Sequence, residues 1–450
     1  MSHKVKITLL VLPVLLFGAA IMPEAQILFF AKDPGVRDGA DGGGPLDGLS
    51  PGEQVFFEAG QDQFLEVQSV QGTLPDTEPG LGPRFNLDSC AGCHAQPTVG
   101  GTSPFVNPQV EAATKAGAKN FIPFFVTENG PVREARFQFK PDGTRDGGVH
   151  NLFTISGRAD APGCNISQPN FDSARAQNNL IFRIPSPVFG AGLIEAIPDA
   201  TIIHNKDSNY YLKLARGISG RENRSGNDGT ITRFGWKAQN KSLEIFAGEA
   251  YNVEQGVTND SFPQERDETP SCLFNPTPES RANLDPKEAT ELVSDVAKFA
   301  IFMRFLAPPT PAPDTPSIKW GRDLFEWIGC ALCHTPSLTT GASPSPALNN
   351  QKVRLSSDLL LHNMGPRLAD DIKQGNAGPD EFRTAPLWGL GQRIFFLHDG
   401  RTTDLLEAIR AHKSYGNLQF RSSEANVVID IFNARSQREK QAILDFLRSL

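Results

Sequence analysis

The chain has no run of lysine or arginine, very little methionine, and no second long apolar stretch after its N-terminus. The first lack argues against a nucleic-acid partner. Forty-three basic residues face 51 acidic ones, a net charge of −8, and no basic stripe is left to track a phosphate backbone. Such a surface is that of an ordinary soluble protein, or of one that meets a basic redox partner. Methionine is down to Met303 and Met364 beyond residue 22, so a thioether ligand for a metal has two sources. The third lack removes any membrane span other than an N-terminal one. There, Lys4 and Lys6 precede an apolar run from Ile7 to Met22, broken by Pro13 and Gly18. Residues 1–31 read as an export signal, cleaved near Ala20 or Ala25, or as an uncleaved N-terminal membrane anchor. Export implies a periplasmic or otherwise extracytoplasmic protein.

What remains is a folded, loop-rich chain with 41 glycines and 35 prolines. Residues 32–49 have the composition of a mobile linker. Ser50 is placed to cap a helix through about Val70. Between 102 and 270 helical periodicity is weak. Short β-type runs stand at Phe121–Val126, Val132–Phe139, Leu180–Ile184 and Ser242–Phe246. Asp285 and Pro286 open a helix to about Leu306, with Leu292, Val296, Phe299 and Met303 in an apolar stripe. Residues 307–316 form a proline-rich linker. After it the first pattern recurs: Ser317 precedes a helix with Trp320, Leu324 and Phe325, and an amphipathic helix from Ser436 to Leu450 closes the chain.

Six cysteines punctuate this plan. Cys164 and Cys272 stand alone, either as a disulfide in an oxidising compartment or as two buried thiols. The other four form Cys90-Ala91-Gly92-Cys93-His94 and Cys330-Ala331-Leu332-Cys333-His334. Cys-x-x-Cys-His attaches c-type haem: both thiols add to the vinyl groups and the histidine lies under the iron. Paired zinc-binding cysteines would stand about 12 to 20 residues apart, far closer than these. A thioredoxin-like pair would need a βαβ context that is absent. The reading is therefore two covalently bound haem c groups, with His94 and His334 as axial ligands. The fold class expected is mainly α with an irregular β-rich insert, in two cytochrome-c-like haem domains. The first spans 47–306 and carries the insert; the second spans 317–450.

The stretch Phe396-Leu397-His398-Asp399-Gly400-Arg401, followed by Leu405-Leu406-Glu407-Ala408-Ile409 and His412, resembles the C-terminal signature of bacterial di-haem cytochrome c peroxidases and their MauG-type relatives. A closer similarity is to the di-haem oxidoreductase family, also labelled thiol oxidoreductases. It is carried by Ser89–Pro97, Arg183–Asp199, Ser357–Asp370, Arg383–Gly391 and the His398–His412 segment. This resemblance implies electron entry at the C-terminal haem, from an electron-donor protein or small redox carrier, and transfer to an N-terminal haem where peroxide binds beside a glutamate. Glu195, in Gly192-Leu193-Ile194-Glu195-Ala196, matches that glutamate and is the implied acid/base. His412 stands where peroxidases carry methionine and MauG-type enzymes tyrosine, so His334 and His412 are the expected axial pair. Met364 is the rival ligand, and His398 is expected to brace its turn through a hydrogen bond.

Two departures count against peroxidase activity. A bis-histidine haem has a lower potential than a His/Met one. No histidine lies between His94 and His150 to serve as a removable ligand, which leaves His150 as the fallback at the N-terminal iron. Three functions follow: a di-haem oxidoreductase, a pure electron-transfer cytochrome, or a haem sensor with the insert as binding module. Trp388 is either a relay between the haems or a core residue. Arg383 bonds a haem propionate or pairs with a surface acid, and His204 reads as a non-functional surface or core residue.

Overall fold

The computed structural model describes residues 30–39 and 42–450. The segment read as export signal or anchor, 1–31, lies outside these except for its last two positions. Among the described residues no helix is long and apolar enough to cross a membrane. Six helices carry the architecture: α1 (Pro51–Leu65), α2 (Leu243–Gln255), α3 (Asp295–Phe305), α4 (Pro316–Ile328), α5 (Leu405–Ala411) and α6 (Gln437–Ser449). Small antiparallel sheets lie between them. β1 (Glu134–Arg136) sits between β2 (Val149–His150) and β3 (Ile181–Arg183); β4 (Leu361–Asn363) pairs with β5 (Glu381–Arg383).

The two halves repeat one packing device. α1 crosses α3 at Gly60, where a Cβ would stand 2.5 Å from the Lys298 carbonyl oxygen. α4 crosses α6 at Gly321, where a Cβ would collide with the Ala442 carbonyl. Only glycine lets the helix axes approach this closely. Phe57, Phe64, Phe299 and Phe302 fill the first crossing, and Phe325, Ile443, Phe446 and Leu447 the second. Each such side chain contributes about 1.5–3 kcal/mol by leaving water. α1 and α6 both open on a capping box, Ser50 with Glu53 and Ser436 with Glu439.

Several expected elements move. α1 stops at Leu65, short of Val70. The helix expected from Asp285 starts only at Asp295, because the Ser294 hydroxyl accepts from Ala297 N at 3.3 Å and caps it there. α4 starts at Pro316, capped by Thr315, one residue before Ser317. Ser242–Phe246 is not a strand: the Ser242 hydroxyl accepts from Ile245 N at 3.2 Å and opens α2. Phe121–Val126, interrupted by Pro123, forms no strand. Of the four runs only Val132–Phe139 and Leu180–Ile184 supply strands, β1 and β3. The insert has its own core around Phe85, Leu152, Phe153 and Phe171, and Cys164 is disulfide-bonded to Cys272 within it.

The expected linkers are built in. Leu46 N donates to Phe305 O at 2.7 Å, and Arg37 N to Gly391 O at 2.8 Å. Asp33 forms an ion pair with Arg448 at 2.7 Å. The described part of 32–49 is thus strapped across both halves, and the proline-rich segment is held by Ala312 N bonding Ser449 O at 2.7 Å. The halves also interlock directly. Ile184 N donates to His398 O at 2.8 Å, Arg221 and Leu361 exchange backbone bonds at 3.0 and 2.8 Å, and Arg183 meets Asp370 at 2.7 Å.

Candidate haem sites

Each cysteine pair occupies one helical turn at the mouth of a buried cavity. In the first, His94 N donates to Cys90 O at 3.0 Å, which brings both sulfurs and the imidazole to one side. His94 Nδ1 lies 3.0 Å from Gly101 O. A carbonyl can only accept, so Nδ1 carries the proton and Nε2 keeps a free lone pair. Burial pulls the His94 pKa down and pushes the Cys90 thiol up to about 12, so the imidazole is neutral and the sulfur protonated. The cavity, about 160 Å³, is lined by these groups, by Val132, Ile184, Phe299 and Met303, and by two carboxyls, Glu134 and Glu254.

The acid pair is assembled from two elements. Register places Glu134 on β1 directly opposite Arg183 on β3, and Arg136, two residues on, pairs with Glu134. Glu254 comes from the last turn of α2. Burial and the neighbouring Glu134 raise Glu254 well above the ordinary carboxyl range. Burial works against Glu134 as well, but Arg136 and the hydrogen bond from Glu254 outweigh it and hold Glu134 low. One carboxyl therefore keeps its proton while its partner is ionised.

Glu195 does not line this cavity. Its Oε2 accepts from Arg304 Nε at 2.8 Å and its Oε1 from Leu243 N at 2.8 Å, so it caps α2 and holds α3. His150 is also outside: its Nε2 lies 2.9 Å from Asp146 Oδ2, and its ring stacks on Phe137 at 3.7 Å. Met303 follows Phe299 by one turn on the face of α3 that meets Phe64, and the Phe64 ring lies 5.9 Å from that of His94. Met303 thus belongs to the His94 side. The Tyr251 hydroxyl is bonded to Gln68. Among the described residues no further histidine, methionine or tyrosine lines the chamber.

The second cavity is larger, about 230 Å³, and mostly apolar. His334 N donates to Cys330 O at 2.9 Å, and its Nδ1 lies 3.1 Å from Ser356 O. His412, the residue that closes α5, lines the same cavity with Nδ1 2.8 Å from Ala408 O. Both imidazoles therefore keep a bare Nε2. Burial, and then the nearby His412, push His334 down to about 4. Met364 lines the cavity too, within a cluster around Leu368, Phe382 and Ala411. His362 is spent: its ring nitrogens lie 2.9 Å from Asp358 Oδ2 and 2.8 Å from Glu424 Oε2. His398 does not brace its turn through its side chain. Its ring stacks on Phe382 at 4.4 Å, and burial pushes it down to about 4.

Trp236 lines both chambers, its indole Nε1 donating to Ile184 O at 3.0 Å. Trp388 lies in the first core and lines neither chamber. Glu134, Glu254 and Trp236 went unmarked in the sequence.

A family model described as "Di-haem oxidoreductase, putative peroxidase" matches residues 133–450. The chain belongs to the di-haem oxidoreductase family. Hydrazine synthase from Kuenenia stuttgartiensis is similar at 14% identity over 94% of this chain and 99% of that one, with a TM-score of 0.36. The diheme peroxidase BthA from Burkholderia thailandensis shows 12% identity over 94% and 92%, with a TM-score of 0.39. A MauG-like protein associated with microbial copper homeostasis shows 18% identity over 59% and 90%, with a TM-score of 0.29. No curated protein matches the chain. The donor sets fit the two haems of a di-haem oxidoreductase. Each chamber offers two thiols, an imidazole oriented by a backbone carbonyl, and apolar walls.

Proposed function

We propose that this di-haem oxidoreductase is an exported c-type enzyme that reduces a peroxide-class substrate at its N-terminal haem with electrons received at its C-terminal haem. The observation that carries this reading is the inequality of the chambers. In the C-terminal cavity His334 and His412 each have Nδ1 held by a backbone carbonyl and Nε2 free, and these two would ligate the iron, while His398 is stacked on Phe382. The N-terminal cavity presents one such imidazole, His94, and sets a carboxyl pair beside the open space.

Cys90, Cys93, Cys330 and Cys333 would hold the haems as thioethers. When bound, the N-terminal haem would supply the redox-active iron for peroxide reduction, the two electrons coming from the donor by way of the C-terminal haem. The chain's own part is to move protons. Glu254 holds one where the departing oxygen needs it, and ionised Glu134 accepts hydrogen bonds and replenishes the pair. Positioned acid–base groups of this kind contribute about 10²–10⁴ in rate. Bis-imidazole ligation lowers the C-terminal potential relative to His/Met, which suits a haem that gives electrons away. Trp236, shared by both chambers, lies on the route. An electron-donor protein or small redox carrier would feed the C-terminal side.

Cyanide and carbon monoxide test the reading. One of two haems should shift its Soret band. If neither shifts, both irons are closed and the chain is an electron-transfer cytochrome without a substrate of its own.

A further inference from the structure

Between the two chambers lies a small cavity of about 30 Å³, whose walls include Trp236, Trp388, Arg233, Arg383 and Arg393. It is lined by no acid and no cysteine. Arg233 is paired with Asp199. The other two guanidinium groups reach the C-terminal chamber as well, and they donate only to carbonyls. Arg383 bonds Gly235 O at 3.2 Å and Thr384 O at 3.3 Å; Arg393 bonds Pro386 O at 3.4 Å. Arg393 is 9% exposed. Burial pulls both down to about 10, and Arg393 adds to the pull on Arg383. Asp358 offsets part of the pull on Arg383, but no acid does so for Arg393, and a buried charge without a counter-ion is unfavourable unless a ligand brings the missing negative charge.

A c-type haem brings two carboxylates. Its vinyl edge is tied at Cys330 and Cys333, and its propionates leave from the opposite edge of the ring. The carboxylates already on the cysteine side, Asp358 and Glu424, are engaged by His362. The small cavity that Arg383 and Arg393 also line contains neither Cys330 nor Cys333.

We infer that Arg383 and Arg393 receive the propionates of the C-terminal haem and that their charge sets its reduction potential. This rests on the di-haem reading above. Arg383 alone was a candidate from sequence; the structure supplies its partner, Arg393, on which no acid acts. A guanidinium matches a carboxylate in shape as well as charge. A fixed cation near the ring favours the reduced haem, so the pair offsets part of the lowering imposed by two imidazoles.

The test is a spectroelectrochemical titration of the full-length holoprotein and its Arg393→Gln, Arg383→Gln and Arg393→Lys variants, with covalent haem counted in each. Each Gln variant should show about a tenfold fall in the reduced-to-oxidised ratio of the C-terminal haem, which is 59 mV for one electron. Arg393→Lys should keep most of the wild-type potential. Loss of the C-terminal haem from Arg393→Gln with retention in Arg393→Lys carries the same meaning, since charge is what Lys preserves. Unchanged potentials in all three, or haem loss from both Arg393 variants, would overturn the inference while leaving the di-haem reading intact. Wild-type protein without haem at Cys330 and Cys333 would instead sink that reading itself.

Discussion

Replacing Asp33 by alanine should destabilise the C-terminal half, although Asp33 precedes every helix of the fold. Its carboxylate is fully used. Oδ1 accepts from Arg448 Nε at 2.7 Å and Gly35 N at 3.0 Å. Oδ2 accepts from Arg448 Nη2 at 2.7 Å and from Leu405 N, at the start of α5, at 2.8 Å. The side chains are 10% and 5% exposed, so this is a buried, bidentate pair. Breaking such a pair from one side costs about 3–5 kcal/mol. Arg448 would keep Leu390, Gly391 and Arg393 carbonyls as acceptors, which points to the lower end, about 3 kcal/mol. The orphaned Leu405 N–H adds about 1 kcal/mol. Urea unfolding followed by circular dichroism measures the loss, with Lys32→Ala as a control expected within about 0.5 kcal/mol of wild type. The pH dependence has a definite sign. Burial would raise the Asp33 pKa, but Arg448 and the two backbone N–H groups hold it below its ordinary 3.8. Its contribution is therefore complete above that value and is lost as the pH falls through the depressed one. Asp33→Ala should lack this acid-side loss. An Asp33→Ala protein as stable as the control would refute the clamp.

Other outcomes follow from the chambers. His412→Ala should convert the C-terminal haem from low to high spin in its absorption and EPR spectra, and Met364→Leu should not; the reverse would move the axial role to Met364. Glu254→Gln should cut peroxide turnover by about 10²–10⁴, while Glu195→Gln should leave it near wild type. The opposite pattern would return the acid/base role to Glu195.

What the sequence revealed divides along contiguity. Cys-x-x-Cys-His is a local motif, so its residues share one turn wherever the chain goes, and both Cys-Cys-His clusters were legible. That His412 shares a cavity with His334 was legible because a resemblance marked its spacing from His398. The acid pair was not: Glu134 and Glu254 meet only through a three-stranded register and the end of a helix. Ser242–Phe246 misled because Leu243, Glu244 and Ile245 alternate as a strand would. The longer spacing of Leu243, Ala247 and Tyr251, all buried, is helical. At α3, Asp285 and Ser294 both carry a start signal, but only Ser294 leads directly into the buried Val296, Phe299, Ala300 and Met303. Trp388 was weighed as a relay and Trp236 went unmarked, since which tryptophan two chambers share is a tertiary fact.

The central claim is two covalent haems at these two motifs. Intact-mass measurement under denaturing conditions, on wild type and on Cys90→Ala/Cys93→Ala, tests it most directly. Wild type should exceed its polypeptide mass by two haem groups and the double variant by one, because the C-terminal seat at Cys330, Cys333 and His334 is separately built. A bare polypeptide mass for the wild-type protein would contradict the account.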